Sequence, residues 1–161
     1  MQGAIDITNK LIKQPKAREW CTLPYPGHKH GCPNYGQRSS CPPQVCTIDE
    51  WLKGTGKLWL VYVTFDLEHH VITMKHKHPE KSDRWCRSVL YWQGTVNKQL
   101  RELAPMIAMN LVEDSACYKI TYCPEAMGVD VISTAQKVGL AVTRKYPLMI
   151  VHKIALIAET K

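Results

Sequence analysis

KLWLVYVTFDL, running from Lys57 to Leu67, decides how the rest of the chain is read. A run this rich in β-branched and aromatic residues predicts a strand buried on at least one face. Just ahead of it, Thr47-Ile-Asp-Glu50 has the form of a capping box. There the Thr hydroxyl and the Glu carboxylate each accept a backbone N–H at the start of a helix. That helix runs through Trp51 and Leu52, and Gly54 and Gly56 end it. After the strand, Trp85, Val89, Trp92, Val96, Leu100 and Leu103 recur at steps of three and four. They predict one helix from about Pro79 to Leu103, with Pro105 as its stop. MIAMNLV beyond Pro105 fits strand or helix, and periodicity does not decide between them. Asp130 to Val138 predicts a helix closed by Gly139, and Leu148 to Ala158, LMIVHKIALIA, a last buried strand. Strands alternating with helices predict an α/β or α+β sheet domain with a cysteine-rich loop appended at one edge. The 161 residues suit a single domain, since domains commonly run to about 100–200 residues.

That loop, Trp20 to Cys46, holds four of the seven Cys and five of the ten Pro, with Gly27, Gly31 and Gly36. Such a density of Pro and Gly excludes a regular helix or a central strand and leaves a segment that needs something to order it. Forty-five per cent hydrophobic residues, with five Trp and seven Tyr, supply apolar surface for a core elsewhere. No run approaches the roughly 18–20 apolar residues of a membrane span, and the N-terminus MQGAIDITNKLIK lacks the form of a secretory signal. A cytoplasmic, reducing setting is expected, in which clustered cysteines act as metal ligands or redox groups sooner than as disulfides.

Cys21, Cys32, Cys41 and Cys46 follow the spacing C-x10-C-x8-C-x4-C. Thiolates are soft ligands that select zinc, copper(I) or iron-sulfur clusters, and four of them complete either a tetrahedral zinc site or a cluster. Zinc ribbons use close C-x2-C pairs, and none occurs here. A cluster, several ångströms across, accepts wider spacings, and Cys32-Pro33 and Cys41-Pro42 have the Cys-Pro form of ferredoxin ligand runs. An iron-sulfur cluster, 4Fe-4S above all, is the leading expectation, with zinc the alternative. In either case the metal could serve only to staple the loop.

GCPNYGQRSSCPP, Gly31 to Pro43, resembles the signature of an uncharacterised family of predicted metal-binding, cysteine-rich proteins, and EAMGVDVISTAQKVGL, Glu125 to Leu140, resembles that family's C-terminal motif. The resemblance implies that Cys32 and Cys41 are ligands, and extends less directly to Cys21 and Cys46. Ahead of the second motif the family can carry several closely spaced cysteines suited to a second metal site, whereas only Cys117 and Cys123 stand here, so no complete second cysteine site is expected. Cys123 either lies near the first site or is a buried thiol, the simpler reading. Cys86, beside Trp85 in the expected helix and without a partner cysteine, reads as a free thiol.

Twenty-one Lys and Arg against fourteen Asp and Glu give a formal charge of +7. The excess favours an anionic partner or substrate: RNA, a nucleotide-like metabolite or an acidic redox protein. Lys75, Lys77, Lys81, Arg84 and Arg87 gather near His69, His70, His76 and His78 as a basic stretch, in which His76 and His78 on a strand would share one face. His28 and His30 read as loop histidines that could replace a thiolate, and Arg38, Ser39 and Ser40 as donors to sulfur or as turn residues. Trp92 belongs to the apolar stripe, while Tyr91 is free either to meet a base or flat ligand or to pack in the core. Walker A, G-x-G-x-x-G, H-E-x-x-H and G-x-S-x-G elements are all missing, which withdraws support from nucleotide-dependent and simple hydrolase chemistry. Two functions remain: an iron-sulfur protein with a redox or cluster-dependent catalytic role, and a zinc-stapled module that binds nucleic acid without catalysis.

Overall fold

A computed structural model describes residues 1–24, 28–112, 116–143 and 149–160. The expected strand is β2, Thr55–Asp66, and it lies beside β4, Ile150–Thr160, in a sheet that β1, Gln2–Asp6, and β3, Cys117–Thr121, complete. The order is β1-β2-β4-β3 and every pair is antiparallel, so of the two expected classes the fold is α+β. β2 and β4 are apolar along most of their length because both of their faces are covered. Trp59, Val61, Val63, Ala155 and Ile157 pack on one side with Val96, Leu100, Ala104 and Ala108. Leu58, Leu60, Leu156 and Ala158 pack on the other with Ile7, Ile48, Met127 and Val131.

α1, Ile48–Trp51, starts with the capping box as expected, Thr47 and Glu50 satisfying each other's backbone N–H. α5, Val131–Lys137, is capped by Asp130 and followed by Gly139 at φ 83°. The expected helix from Pro79 to Leu103 is broken. Ser82 caps a short α3, Asp83–Cys86, a 3-10 turn follows at Val89–Tyr91, and α4 runs Gln93–Leu111. Pro105 lies inside α4 instead of stopping it, and MIAMNLV continues as helix apart from Val112. Burial of Val96, Leu100, Ala104 and Ala108 along one face carries the helix past the residue that propensity alone would end it on. β1 and β3 are short strands at the two edges of the sheet, and α2, Leu67–Lys77, buries only Leu67 and Val71. His76 is therefore helical and His78 is the C-cap, so they do not share a strand face. Leu148 lies outside the described residues. No described helix is long and apolar enough to cross a membrane.

Candidate metal centre and adjoining cavity

The cysteine segment enters from a 3-10 helix, Pro15–Thr22, which begins on a proline and carries Cys21 near its end. Gly31, at φ 82°, lets the next turn press against it, and the Cys32 N–H donates to the Cys21 carbonyl at 2.7 Å. The chain then folds on itself through turns. Tyr35 N–H donates to the Cys32 carbonyl at 3.0 Å, Gly36 N–H to that of Pro42 at 2.8 Å, and Val45 N–H to that of Cys41 at 3.0 Å. These bonds satisfy part of the backbone in a segment expected to have little order of its own.

Arg18 fastens this coil to the other end of the chain. Its guanidinium donates to the carbonyls of Val45 at 2.9 Å, Cys46 at 3.1 Å and Ala126 at 3.1 Å. Ala126 belongs to the 3-10 turn Pro124–Met127, which starts immediately after Cys123. One side chain thus joins the segments that carry Cys21, Cys46 and Cys123, using the rigid fork that suits Arg to several acceptors at once.

Among the four expected ligands, Cys21, Cys32 and Cys41 are half-buried and Cys46 is exposed. Burial pushes the Cys21 thiol up, and the negative charge that Cys32 and Cys41 carry when ionised pushes it further, so these three lie within Coulomb reach of one another. Cys123 joins them. Its pKa is raised by burial first, against a lowering bond from Thr121, and then by the charge of Cys41. Cys123 and the exposed Cys46 also line one cavity of about 450 Å³, together with Ser39 and Ser40. Cys123 is accordingly only half-buried and stands with the N-terminal cysteines. Cys117 is exposed on β3, and Cys86 is fully buried in α3, as a free core thiol should be.

By donor type these thiols fit a soft metal or a cluster. Their mutual charge is also what a cation relieves on binding, since thiolate ligation displaces protons. Among the described residues, no group of three or more His, Cys, Asp and Glu side chains is placed to hold a metal ion as it stands.

A second cavity, of about 390 Å³, shares Arg101 and Tyr122 with the first. Arg101 lies over the Tyr122 ring with its guanidinium carbon 4.7 Å from the centroid, forming part of the wall between the two. Glu125 and Lys153 face this second cavity. Glu125 is reachable by water yet lines this cavity, and burial pushes its carboxyl up, opposed by a hydrogen bond from its own backbone and then by the charge of Lys153. Burial lowers the Lys153 ammonium, and Glu125 partly restores it. His152 acts as a pillar of the wall: Nε2 donates to the Ala141 carbonyl at 3.1 Å, and Nδ1 lies 3.1 Å from Thr64 Oγ1. The sequence reading did not single out Arg18, Arg101, Glu125 or Lys153. Lys153 alone left a signal there, as a charge in the middle of an otherwise apolar strand.

Elsewhere, the basic stretch is partly occupied with its own structure. Lys75 Nζ donates to the Lys81 carbonyl at 2.7 Å and pairs with Asp83 at 3.2 Å, while Lys81 pairs with Glu80 at 3.6 Å. Lys77 and Arg84 remain exposed, as do His28, His30, His69 and His76. Trp92 is core, its ring stacked on Phe65 at 5.1 Å, and Tyr91 leans on Trp85 with centroids 4.5 Å apart. Comparison with protein-family models, with curated proteins and with solved structures finds no match to this chain.

Proposed function

We propose that the chain is an iron-sulfur protein in which Cys21, Cys32, Cys41 and Cys46 hold a cluster, 4Fe-4S above all, beside a substrate cavity. The gathering of cysteines from distant parts of the chain supports this reading, because Cys41 is felt electrostatically by both Cys21 and Cys123. Isolated surface thiols would feel no such neighbours. Cys123 lines the same cavity as Cys46 and would be the candidate to replace it as a ligand. When bound, a cluster would supply electron transfer or, with one iron left open, Lewis acidity toward an anion in the adjoining cavity. Arg101 lies between the two spaces and would orient that anion by its fixed charge.

The test is anaerobic purification followed by iron, sulfide and zinc analysis. The expected product is brown, absorbs near roughly 400 nm, and carries roughly four iron and four sulfide per chain. Cys41→Ser should lose most of that iron while the far-UV spectrum of the sheet and helices persists, whereas Cys86→Ala should keep it. A colourless, zinc-loaded chain would replace this reading with that of a zinc-stapled module. Steeply salt-dependent binding to RNA would then make nucleic acid its partner.

A further inference from the structure

β3 ends at Thr121, paired with Leu156, so β4 from Ile150 to Ala155 has β2 on one side and, among the described residues, no strand on the other. The 390 Å³ cavity opens at this step in the sheet. Its lining mixes apolar side chains, Leu100 from the α4 side of the sheet and Val131 and Ile154 from the other side, with the charged side chains of Arg101, Glu125 and Lys153. Lys153 lines it, half-buried, and Glu125 is the charge that partly offsets the burial of its ammonium. An ammonium partly withdrawn from bulk water and only partly offset by one carboxylate gains from a further anion brought to it. Arg101 is the second cation and Glu125 the only carboxylate among the described lining residues, and with Glu125 ionised these described groups sum to one positive charge beside the His152 ring. A volume of this size falls within the range of about 300–1,000 Å³ typical of small-molecule sites.

We propose that this cavity binds a small organic carboxylate, its acid group held by Lys153 and Arg101 and its apolar body laid against Leu100, Val131, Ile132 and Ile154. A monoanion balances the net charge of the described lining, and an apolar body matches its apolar side chains. Glu125 sets the selectivity: it repels a second negative charge on the ligand and so disfavours dianions. The proposal gives a chemical class to the anion of the preceding section and rests on that reading only in treating the ligand as a substrate. The cavity itself requires no metal.

The test titrates the full chain, as purified, with 4-methylpentanoate, its amide 4-methylpentanamide, and inorganic phosphate, followed by calorimetry and amide NMR shifts. The carboxylate should saturate a single site below about 1 mM and shift residues around Lys153 and Val131. The amide should bind at least about tenfold more weakly, because it forfeits the charge-assisted bond. Lys153→Met should weaken the carboxylate by about tenfold or more with the spectrum otherwise retained, and Glu125→Gln should tighten it. Lys77→Ala with Arg84→Ala, on the basic stretch, should change nothing. Should Lys153→Met fail to fold, Arg101→Gln and the acid-to-amide ratio on the unaltered chain carry the decision. Equal binding of acid and amide, phosphate binding as well as the organic acid, indifference to the Lys153 and Arg101 changes, or no saturation up to about 10 mM would each overturn the proposal. Iron content is read separately, so a colourless chain that binds the carboxylate refutes the cluster and leaves this site standing.

Discussion

A methyl group placed on Gly31 would come within 2.4 Å of the Cys21 carbonyl oxygen and 2.7 Å of the Thr22 carbonyl carbon, both backbone atoms that have nowhere to go. The residue also sits at φ 82°, where an L side chain adds about 1–2 kcal/mol of strain. Gly31→Ala is therefore expected to lower unfolding stability by at least about 2 kcal/mol and to separate Cys32 from Cys21. Chemical denaturation measures the first; an unchanged midpoint would mean that this close approach is absent in solution. His70 makes a different demand. Burial lowers its pKa below the ordinary 6.5, against a bond to the Cys86 carbonyl, and its Nε2 is buried without a partner among the described residues. The folded state keeps the ring neutral while the unfolded chain takes up a proton near 6.5, so the unfolded state binds more protons as the pH falls below that value. Stability from this group is complete above 6.5 and declines toward the lowered folded pKa. Thermal unfolding between pH 7 and pH 5 should show that decline, and His70→Phe should flatten it; an identical slope in the variant would remove His70 as the cause. In the sequence His70 looks like His69, His76 and His78, because only the packing of α2 on Phe65 and α3 tells them apart.

α4 shows where local rules yield to packing. Pro105 has no N–H to give the Arg101 carbonyl one turn earlier, and its ring crowds that carbonyl. Pro105→Ala is expected to stabilise the helix by about 1–3 kcal/mol, measured by denaturant unfolding. A loss of stability instead would show that the bend imposed by proline is what seats Ala104 and Ala108 against the sheet. Val96 and Leu100 were legible from their spacing; the continuation was not, because Ala104 and Ala108 are weak hydrophobic signals that matter only once a sheet lies against them. The short edge strands escaped for a related reason. β1, QGAID, alternates between exposed and half-buried, and β3, CYKIT, is mostly exposed or half-buried, so neither sequence announces the neighbour that makes it a strand. By contrast β2 and the capping box of α1 were readable, since a run buried on both faces and a reciprocal Thr–Glu pair specify themselves locally.

In the whole molecule, the candidate site is a product of topology. The N-terminal cysteines and the Pro–Gly turns that fold them could be read as a set, but Cys123 comes to them only because the sheet order returns β3 and the turn after it to the same end. Lys153 and Glu125 meet in the same way, from β4 and from the turn after β3, and spacing along the chain carries no trace of it. Arg18 ties these distant parts together, with two of its three carbonyl acceptors beside Cys46 and the third at Ala126. On the ribosome this has a consequence in time. Cys21, Cys32, Cys41 and Cys46 are translated well before Ala126, and β2 waits for β4, the strand that lies between it and β3. Throughout that interval the thiols belong to a nascent chain whose clasp does not yet exist, open to oxidants and to whichever metal arrives first. Only when the closing of the sheet has assembled the clasp are these segments held together.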